Sequence, residues 1–561
     1  MPPPPATDTV GAVVPPPVTQ RRPAVALRET AGGYRQHDPR ETVLYGLVAE
    51  HLEPFLAEVR EQHERGLPDY VEQELRAYLE CGIHAFGFGR ARCRDCGREL
   101  VVAFSCKKRS VCPSCNARRM CGTAAFLTDH VFPEVPVRQW VLSVPFELRL
   151  TLARRPDALS AVGRILVAEI FRYQSDAAGL RGLDRRRVRS GAVQFPQRFG
   201  GSLNLNVHYH VAVPDGVFVR ERARDPTGNR PITFHPLPRP TQADLDDIVH
   251  AVEVRVTRWL RRKGLLADPD PDADFSDEPP ERSALDACLE GSLGLGELTE
   301  LAGACPRGGD GGAERDDLEP ARPTKSARRG AQARGFDLHA GVAVAANDRE
   351  GRERLLRYCA RPPLSLERLS RLPDGRIAYE LRKPWGRQTH RVMDPLAFMA
   401  RLAALVPPPR HPLIRFHGVF APHSSWRAGV VPHPSPDIAP GTCPSTGQSP
   451  TSPWRPAAPA GEVEAPPVSS RPQRGSALEQ TRDGDPMRDP GSRIPWAELL
   501  KRTHDIDALA CPCGGRLQFI AVITDREVAR DLLESLGLPN APPPLARARS
   551  PALIDPIPSD W

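Results

Sequence analysis

The chain has 561 residues and a formal net charge of +7, which allows several domains and leans toward a polyanionic partner. Its basic residues are 70 Arg against 6 Lys; Arg suits bidentate phosphate contacts better than Lys, although a GC-rich genome produces the same skew. No run of about 18 apolar residues occurs, which excludes a membrane-spanning helix.

The N-terminus, MPPPPATDTVGAVVPPPVTQRR, lacks the charged start and apolar core of a signal peptide and reads as a disordered arm over residues 1–38. From Arg40 to Leu79 the pattern turns helical. Val43, Leu47, Val48, Leu52, Phe55, Leu56 and Val59 recur at helical steps, and Val71, Leu75 and Leu79 form a second stripe. Seven of the 13 cysteines fall between Cys81 and Cys121, which points to metal ligands in a reducing cytoplasm rather than to disulfides. Cys93-x2-Cys96 and, fifteen residues on, Cys112-x2-Cys115 have the spacing of a four-thiolate zinc site. Cys81, Cys106 and Cys121 are further candidates, and spacing alone does not choose among them. Arg90, Arg92, Arg94, Lys107, Lys108, Arg109, Arg118 and Arg119 surround this block. A zinc-folded module studded with cations suits phosphate contact; a solvated charged face is the plainer reading of the same residues.

Downstream, Arg138 to Val144 reads as a buried strand, Ala158 to Tyr173 as a helix, and Gly191 to Phe199 as a second strand. A Gly-Gly-Ser turn leads from it into LNLNVHYHVAVPDGVF, where His208 and His210 sit two residues apart. Residues i and i+2 of a strand share a face, so both imidazoles leave one side while Val207, Tyr209 and Val211 leave the other. Such a pair can hold a divalent metal with an open coordination side, or can be two histidines on a polar edge strand. Gln197 faces the pair if the hairpin forms and is then a candidate third, oxygen ligand. Gln242 to Arg262 is helical. Residues 266–334 are rich in Gly, Pro, Asp and Arg without periodicity and read as a disordered insertion.

Order returns with a strand at Phe336 and a helix from Arg349 to Ala360, which carries Tyr358 beside Arg354 and Arg357. A hairpin around Lys383-Pro384-Trp385-Gly386 and a helix from Pro395 to Leu405 follow. Residues 430–494 form a Pro-, Ser- and Gly-rich linker, 495–540 a small helix–strand–helix module and 541–561 a tail; Cys511 and Cys513 precede the module's strand. The architecture expected is α+β: an N-terminal helical and zinc-ribbon-like module (39–130), then an antiparallel-sheet domain in two parts (131–265 and 335–429), with long disordered insertions and a small C-terminal α+β tail.

Two same-face histidines, one helical tyrosine and a cationic module suit tyrosine attack on a DNA phosphodiester. A phenol has a free pKa near ~10 and needs help. A divalent ion at His208 and His210 would polarise the phosphate, and Arg354 or Arg357 would assist the phenolate. The product is a 5′-phosphotyrosyl bond and a free 3′-hydroxyl, so the same site can rejoin strands without ATP. A packed aromatic is the plainer reading of Tyr358 taken alone.

Five ordered blocks resemble the transposases of the family founded on insertion sequence 91 and their common-region relatives, within the His-hydrophobic-His nickase superfamily. They are CGIHAFGFGRARCRDCGRELVVAFSCKKRSVCPSCNARRM from Cys81, VPVRQWVLSVPFELR from Val135, QRFGGSLNLNVHYHVAVPDGV from Gln197, LLRYCARPPLS from Leu355 and PPPRHPLIRFHGVFAPHSSWR from Pro407. The resemblance implies structural Zn²⁺ at Cys93, Cys96, Cys112 and Cys115, with Cys81 and Cys106 as family positions of less defined role. It implies Mg²⁺ or Mn²⁺ at the histidine pair, Tyr358 as nucleophile, and single-stranded element termini and target DNA as partners. The expected setting is the bacterial cytoplasm, at the nucleoid when DNA is bound, with a homo-oligomer as one way to supply a second tyrosine.

Three departures stand out. Founding members carry two tyrosines four residues apart, whereas here Pro362 stands four after Tyr358, as in the common-region branch. The tail has one residue fewer between Cys511 and Cys513 than the family's Cys-Pro-x-Cys-Gly-Gly, which weakens the case for a metal site there. The acidic insertion is longer than usual. Two other readings remain open: a non-catalytic zinc-ribbon DNA-binding protein, such as a decayed transposase, and a plasmid or phage replication initiator.

Overall fold

A computed structural model describes residues 27, 29–179, 187–223, 230–266, 283–293, 297–299, 330–385, 387–432 and 494–547. The N-terminal part holds helices α1 (Val43–Gln62) and α2 (Asp69–Glu80), strands β1 (Phe88–Cys93) and β2 (Glu99–Ala103), and helix α3 (Pro113–His130). Most of the stripe expected on α1 is its buried face: Leu47, Val48, Leu52, Phe55, Leu56 and Val59 lie in the core, whereas Val43, in the first turn, is exposed. Thr42 caps the helix by accepting from the Tyr45 amide.

The central part runs through β3 (Val137–Ser143), α4 (Phe146–Arg154), α5 (Pro156–Ala177), β4 (Val188–Arg189), β5 (Gly191–Phe199), β6 (Leu205–Pro214), β7 (Gly216–Arg220), β8 (Ile232–Pro236) and α6 (Gln242–Arg262). It continues through α7 (Ala284–Leu293), β9 (Glu297–Thr299), β10 (Gly330–Ala333), β11 (Phe336–Val344) and α8 (Arg349–Cys359). Then come β12 (Leu369–Arg371), β13 (Ile377–Trp385), β14 (Gln388–Met393), α9 (Pro395–Leu405) and β15 (Arg415–Gly418). A six-stranded antiparallel sheet, in the order β10-β11-β3-β6-β5-β15, is its frame.

Strand β6 lies inside this sheet, and its alternation sets the site. Val207, Tyr209, Val211 and Val213 enter a fully buried layer with Leu159, Val162 and Leu166 of α5 and Val249, Val252 and Val256 of α6. Burying side chains of this size contributes about 1.5–3 kcal/mol each, and the Tyr209 hydroxyl is satisfied by donating to the Leu159 carbonyl at 2.8 Å. Ala212 on the opposite face joins a second layer with Leu127 of α3 and Leu355, Leu356 and Cys359 of α8. A one-residue slip would exchange the two faces, so this double burial fixes the register. The Pro-Asp-Gly turn is clasped by Arg138, whose guanidinium grips Asp215 at 2.6 and 2.8 Å.

Three segments depart from expectation. The arm is ordered from Glu29: the Leu27 amide donates to the Glu99 carbonyl at 2.7 Å, Gly32 bridges Asp507, and Tyr34 meets Trp496 edge to face. Within the insertion, α7 packs on α9 because Ala284, Cys288 and Leu289 form an apolar stripe, and Arg154 pairs with Asp286 and Glu290 on its outer side. The C-terminal segment, with α10 (Trp496–His504), β16 (Leu517–Ile523) and α11 (Arg526–Ser535), does not stand apart. Strand β16 pairs antiparallel with β1 from Phe88↔Ile523 to Cys93↔Leu517 and completes a β16-β1-β2 sheet. The rest of residues 1–38, 266–334, 430–494 and 541–561 lies largely outside the described residues. Among the described residues no helix is long and apolar enough to cross a membrane.

Candidate metal centres and nucleophile

His208 and His210 sit on the α8-facing side of β6, at 6% and 3% exposure, with ring centroids 5.1 Å apart. The β5–β6 hairpin sets Gln197 directly opposite His208. Helix α8 lies over them. The Tyr358 ring stands edge-on to His210, with centroids 5.7 Å apart and planes at 89°. Two glutamines bind this helix to the sheet: Gln197 Nε2 donates to the Cys359 carbonyl at 2.7 Å, and the Gln139 amide meets Cys359 Sγ at 3.3 Å.

Desolvation lowers the pKa of both histidines, well below the usual value for His210, which His208 also lowers. They are therefore neutral, as metal ligation requires. His208 Nδ1 lies 2.9 Å from the Asn206 carbonyl, which can only accept, so the proton sits on Nδ1 and Nε2 keeps its lone pair. The Gln139 amide meets His210 Nδ1 at 2.8 Å; with that amide turned so that its oxygen faces Nδ1–H, Nε2 is left with a lone pair as well. His210 Nε2 and Gln197 Oε1 are both buried with no hydrogen-bond partner. Such orphaned atoms are costly, and a divalent cation satisfies them. The donor set therefore fits a metal, with Gln139 as the residue orienting one ligand.

The cations over the Tyr358 ring are Arg361 and Arg382, with guanidinium carbons 4.8 and 5.7 Å from its centroid. The sequence pointed instead to Arg354 and Arg357. Arg354 is paired with Glu350 at 3.6 Å and Arg357 with Glu353 at 3.4 Å, one helical turn back in each case. Arg361 follows the end of α8, three residues past Tyr358, and is close in sequence; Arg382 comes from the β13 strand and has no such local signal.

Around the cysteine block, Lys107 and Arg118 are exposed and Lys108 is half-buried. Arg109 and Arg119, read from sequence as DNA contacts, point inward. Arg109 donates to the carbonyls of His411 and Pro408 at 2.8 and 2.9 Å. Arg119 bonds Asn116 Oδ1 at 3.0 Å and the Lys108 carbonyl at 2.6 Å. Both brace the loop that carries Cys106 and Cys112.

The cysteines group differently from the pairing expected. Cys93 and Cys96 do not meet Cys112 and Cys115. Two separate sets form, Cys81–Cys106–Cys112–Cys115 and Cys93–Cys96–Cys511–Cys513, the sulfurs of each lying within 4.8 Å of one another. In the first set, Sγ separations are 3.7 Å for Cys81–Cys115, 3.5 Å for Cys106–Cys115 and 3.5 Å for Cys81–Cys112. A tetrahedral zinc with Zn–S near ~2.3 Å has S···S edges of about 3.8 Å, so the first set fits that ion. Hydrogen bonds from Cys106, Cys112 and Cys81 drive the Cys115 thiol toward the thiolate, the form that binds metal. Cys121 belongs to neither set; it packs with Ala125 and Leu499 as an ordinary buried thiol.

Residues 48–144 match the family model described as "Transposase zinc-binding domain", of the insertion-sequence-91 type, and residues 191–427 match the model described as "Putative transposase". The first match holds the Cys81–Cys115 set, and the second holds the histidine strand and Tyr358. Fold, cysteine clusters and matches together define a transposase, a DNA-processing protein with a zinc-binding domain. Within that class the chain belongs to the insertion sequence 91 family. No curated protein and no solved structure matches it.

Proposed function

We propose that this transposase nicks and rejoins single DNA strands at the ends of its element through Tyr358, in rolling-circle transposition. One observation carries the reading: Tyr358 stands against His210, on a face where His210 Nε2 and Gln197 Oε1 are buried and unsatisfied. His208, His210 and Gln197 would hold Mg²⁺ or Mn²⁺, which supplies Lewis-acid polarisation of the scissile phosphate. The phenolic oxygen of Tyr358 attacks phosphorus, the bond to the 3′ oxygen breaks, and that oxygen leaves as a 3′-hydroxyl after taking a proton. The 5′ end stays on the tyrosine. Arg361 and Arg382 lie over the ring and place two cations beside the nucleophile, where an anionic phosphate would dock. Attack by a 3′-hydroxyl on the phosphotyrosine reverses the bonds and releases Tyr358. Structural Zn²⁺ at Cys81, Cys106, Cys112 and Cys115 shapes the module that presents Lys107, Lys108 and Arg118.

The test incubates purified protein and Mg²⁺ with single-stranded DNA from the ends of the element. A denaturation-resistant protein–DNA adduct is expected from the wild type and none from Tyr358→Phe. DNA binding without any adduct from the wild type would instead support the non-catalytic reading.

A further inference from the structure

The geometry points to a second structural zinc site, held by Cys93, Cys96, Cys511 and Cys513, that fastens the C-terminal segment onto the N-terminal ribbon. Its ligands come from both ends of the chain, and Cys511 and Cys513 lie outside the matched zinc-binding segment of 48–144.

Two facing knuckles build the site. Cys93 Sγ lies 3.6 Å from Cys513 Sγ, and Cys96 Sγ lies 3.5 Å from Cys511 Sγ. Both distances are close to the S···S edge of about 3.8 Å that a tetrahedral zinc demands. Each knuckle closes by a backbone hydrogen bond, over four residues in one and three in the other: the Gly97 amide donates to the Cys93 carbonyl at 3.0 Å, and the Gly514 amide donates to the Cys511 carbonyl at 3.0 Å. Each closes on a glycine in the left-handed region, with φ of +73° at Gly97 and +87° at Gly514. The shortened Cys-Pro-Cys spacing therefore still turns its sulfurs toward the other knuckle. Gly515 is required for the approach, because a Cβ there would fall 3.0 Å from Cys93 Sγ and 2.1 Å from Asp95 Oδ2.

What surrounds the knuckles is too small to hold them unaided. The buried residues around them are Ala91, Cys93, Leu100, Cys511 and Leu517. Strand β16 also exposes Phe519 at 67% and Val522 at 57%, so beyond backbone pairing its hold on β1 rests on one further small cluster, Phe88 and Val101 with Ile523, Ala529 and Leu533. Small cores of this kind usually need a metal or a disulfide. Zinc binding here displaces four thiol protons and converts folding of the ribbon into metal affinity.

The full-length protein, purified under reducing conditions, is analysed for metal by mass spectrometry. The site predicts two zinc ions per chain, one in Cys511→Ser/Cys513→Ser and one in Cys81→Ser/Cys112→Ser. Hydrogen–deuterium exchange of 517–523 is expected to quicken in the first double variant and to stay unchanged in the second. Should the variants fail to fold, cobalt titration of the wild type gives the answer, with tetrathiolate absorption growing to two equivalents. One zinc or one cobalt equivalent in the wild type overturns the site. So does an undiminished zinc count in Cys511→Ser/Cys513→Ser, or mass-spectrometric detection of disulfides among these four cysteines. No readout involves DNA cleavage, so this outcome is separate from that of the tyrosine chemistry.

Discussion

The six-stranded sheet and the three-stranded ribbon position their chemical side chains by opposite means. In the sheet, β6 is held between two apolar layers, with Tyr209, Val211, Leu166 and Val252 at 0% exposure on one face alone. The two histidines inherit their geometry from that packing. The ribbon's apolar clusters are small by comparison, and in the one beside the knuckles two members, Cys93 and Cys511, are themselves candidate ligands. The contrast teaches that a metal can be a passenger on one scaffold and a structural member of another. Ion removal should leave the histidine strand in place and loosen the ribbon.

The largest effect should come from Tyr358→Phe. In the proposed reaction the hydroxyl is the attacking group, so nicking is expected to fall roughly 10⁴-fold or more, the scale of losing a covalent nucleophile. The melting temperature and zinc content stay at wild-type values, because the ring still fits beside His210. A comparable loss in an equally stable Arg354→Ala variant would show that the tyrosine is not special. His208→Ala with His210→Ala comes next. Calorimetry should find Mn²⁺ binding lost, metal-dependent nicking should fall about 10²-fold or more, and zinc should remain. Zinc loss in this variant would break the separation between sheet and ribbon.

Gln197→Ala should have a smaller effect, about 10- to 100-fold in Mn²⁺ affinity. Gln197 does two things: it offers Oε1 toward the cleft and it tethers α8 through the Cys359 carbonyl. Gln197→Glu separates them, keeping an oxygen ligand while losing the donated hydrogen bond. Recovery of metal affinity by Gln197→Glu identifies a ligand; continued weakness identifies a tether.

Acidification probes the histidines packed in and beside the sheet. Burial pushes His411 and His417 down to about 4 from a usual 6.5. Above pH 6.5 both are neutral folded or unfolded and contribute nothing to pH dependence. As pH falls from 6.5 toward about 4 the unfolded chain binds protons first, so stability declines across that window. The melting temperature should follow, and His411→Gln should flatten the slope; an unchanged slope would remove His411 from the account.

Most of this was legible where the signal is local. The period-two pattern of β6 gave the face shared by His208 and His210, and the Gly-Gly-Ser turn gave the hairpin that sets Gln197 opposite. Helix α6 was bounded from its periodicity alone. What failed was long-range. Nothing near Cys93 announces that its partner is Cys513, because a knuckle pair 15 residues away has the expected spacing and loop-closure entropy favours the nearer choice. The apolar stripe of α7 was hidden by the Gly- and Pro-rich composition around it. Arg109 and Arg119 misled because sequence reports charge but not direction, and their guanidinium groups are spent on backbone carbonyls.

The smallest effect expected is also the one that joins the two regions. Arg502 of α10, a few residues before the Cys511 knuckle, reaches Asp129 of α3 at 2.5 Å and Glu353 of α8 at 2.6 Å. Glu353 in turn pairs with Arg357, next to Tyr358. Arg502→Ala leaves two partly buried carboxylates facing each other without their shared cation, at a cost of about 1–2 kcal/mol. That cost falls on the packing of α10 against α3 and α8, so the melting temperature drops by a few degrees. If ribbon and cleft are independent, adduct formation per folded molecule is unchanged. If the segment anchored by the ribbon also steadies the nucleophile's helix, adduct formation falls in Arg502→Ala, and Cys511→Ser/Cys513→Ser lowers it by the same route. Parallel losses in the two variants would then make the ribbon a support of the active site, whereas a loss in Cys511→Ser/Cys513→Ser alone would place its role elsewhere.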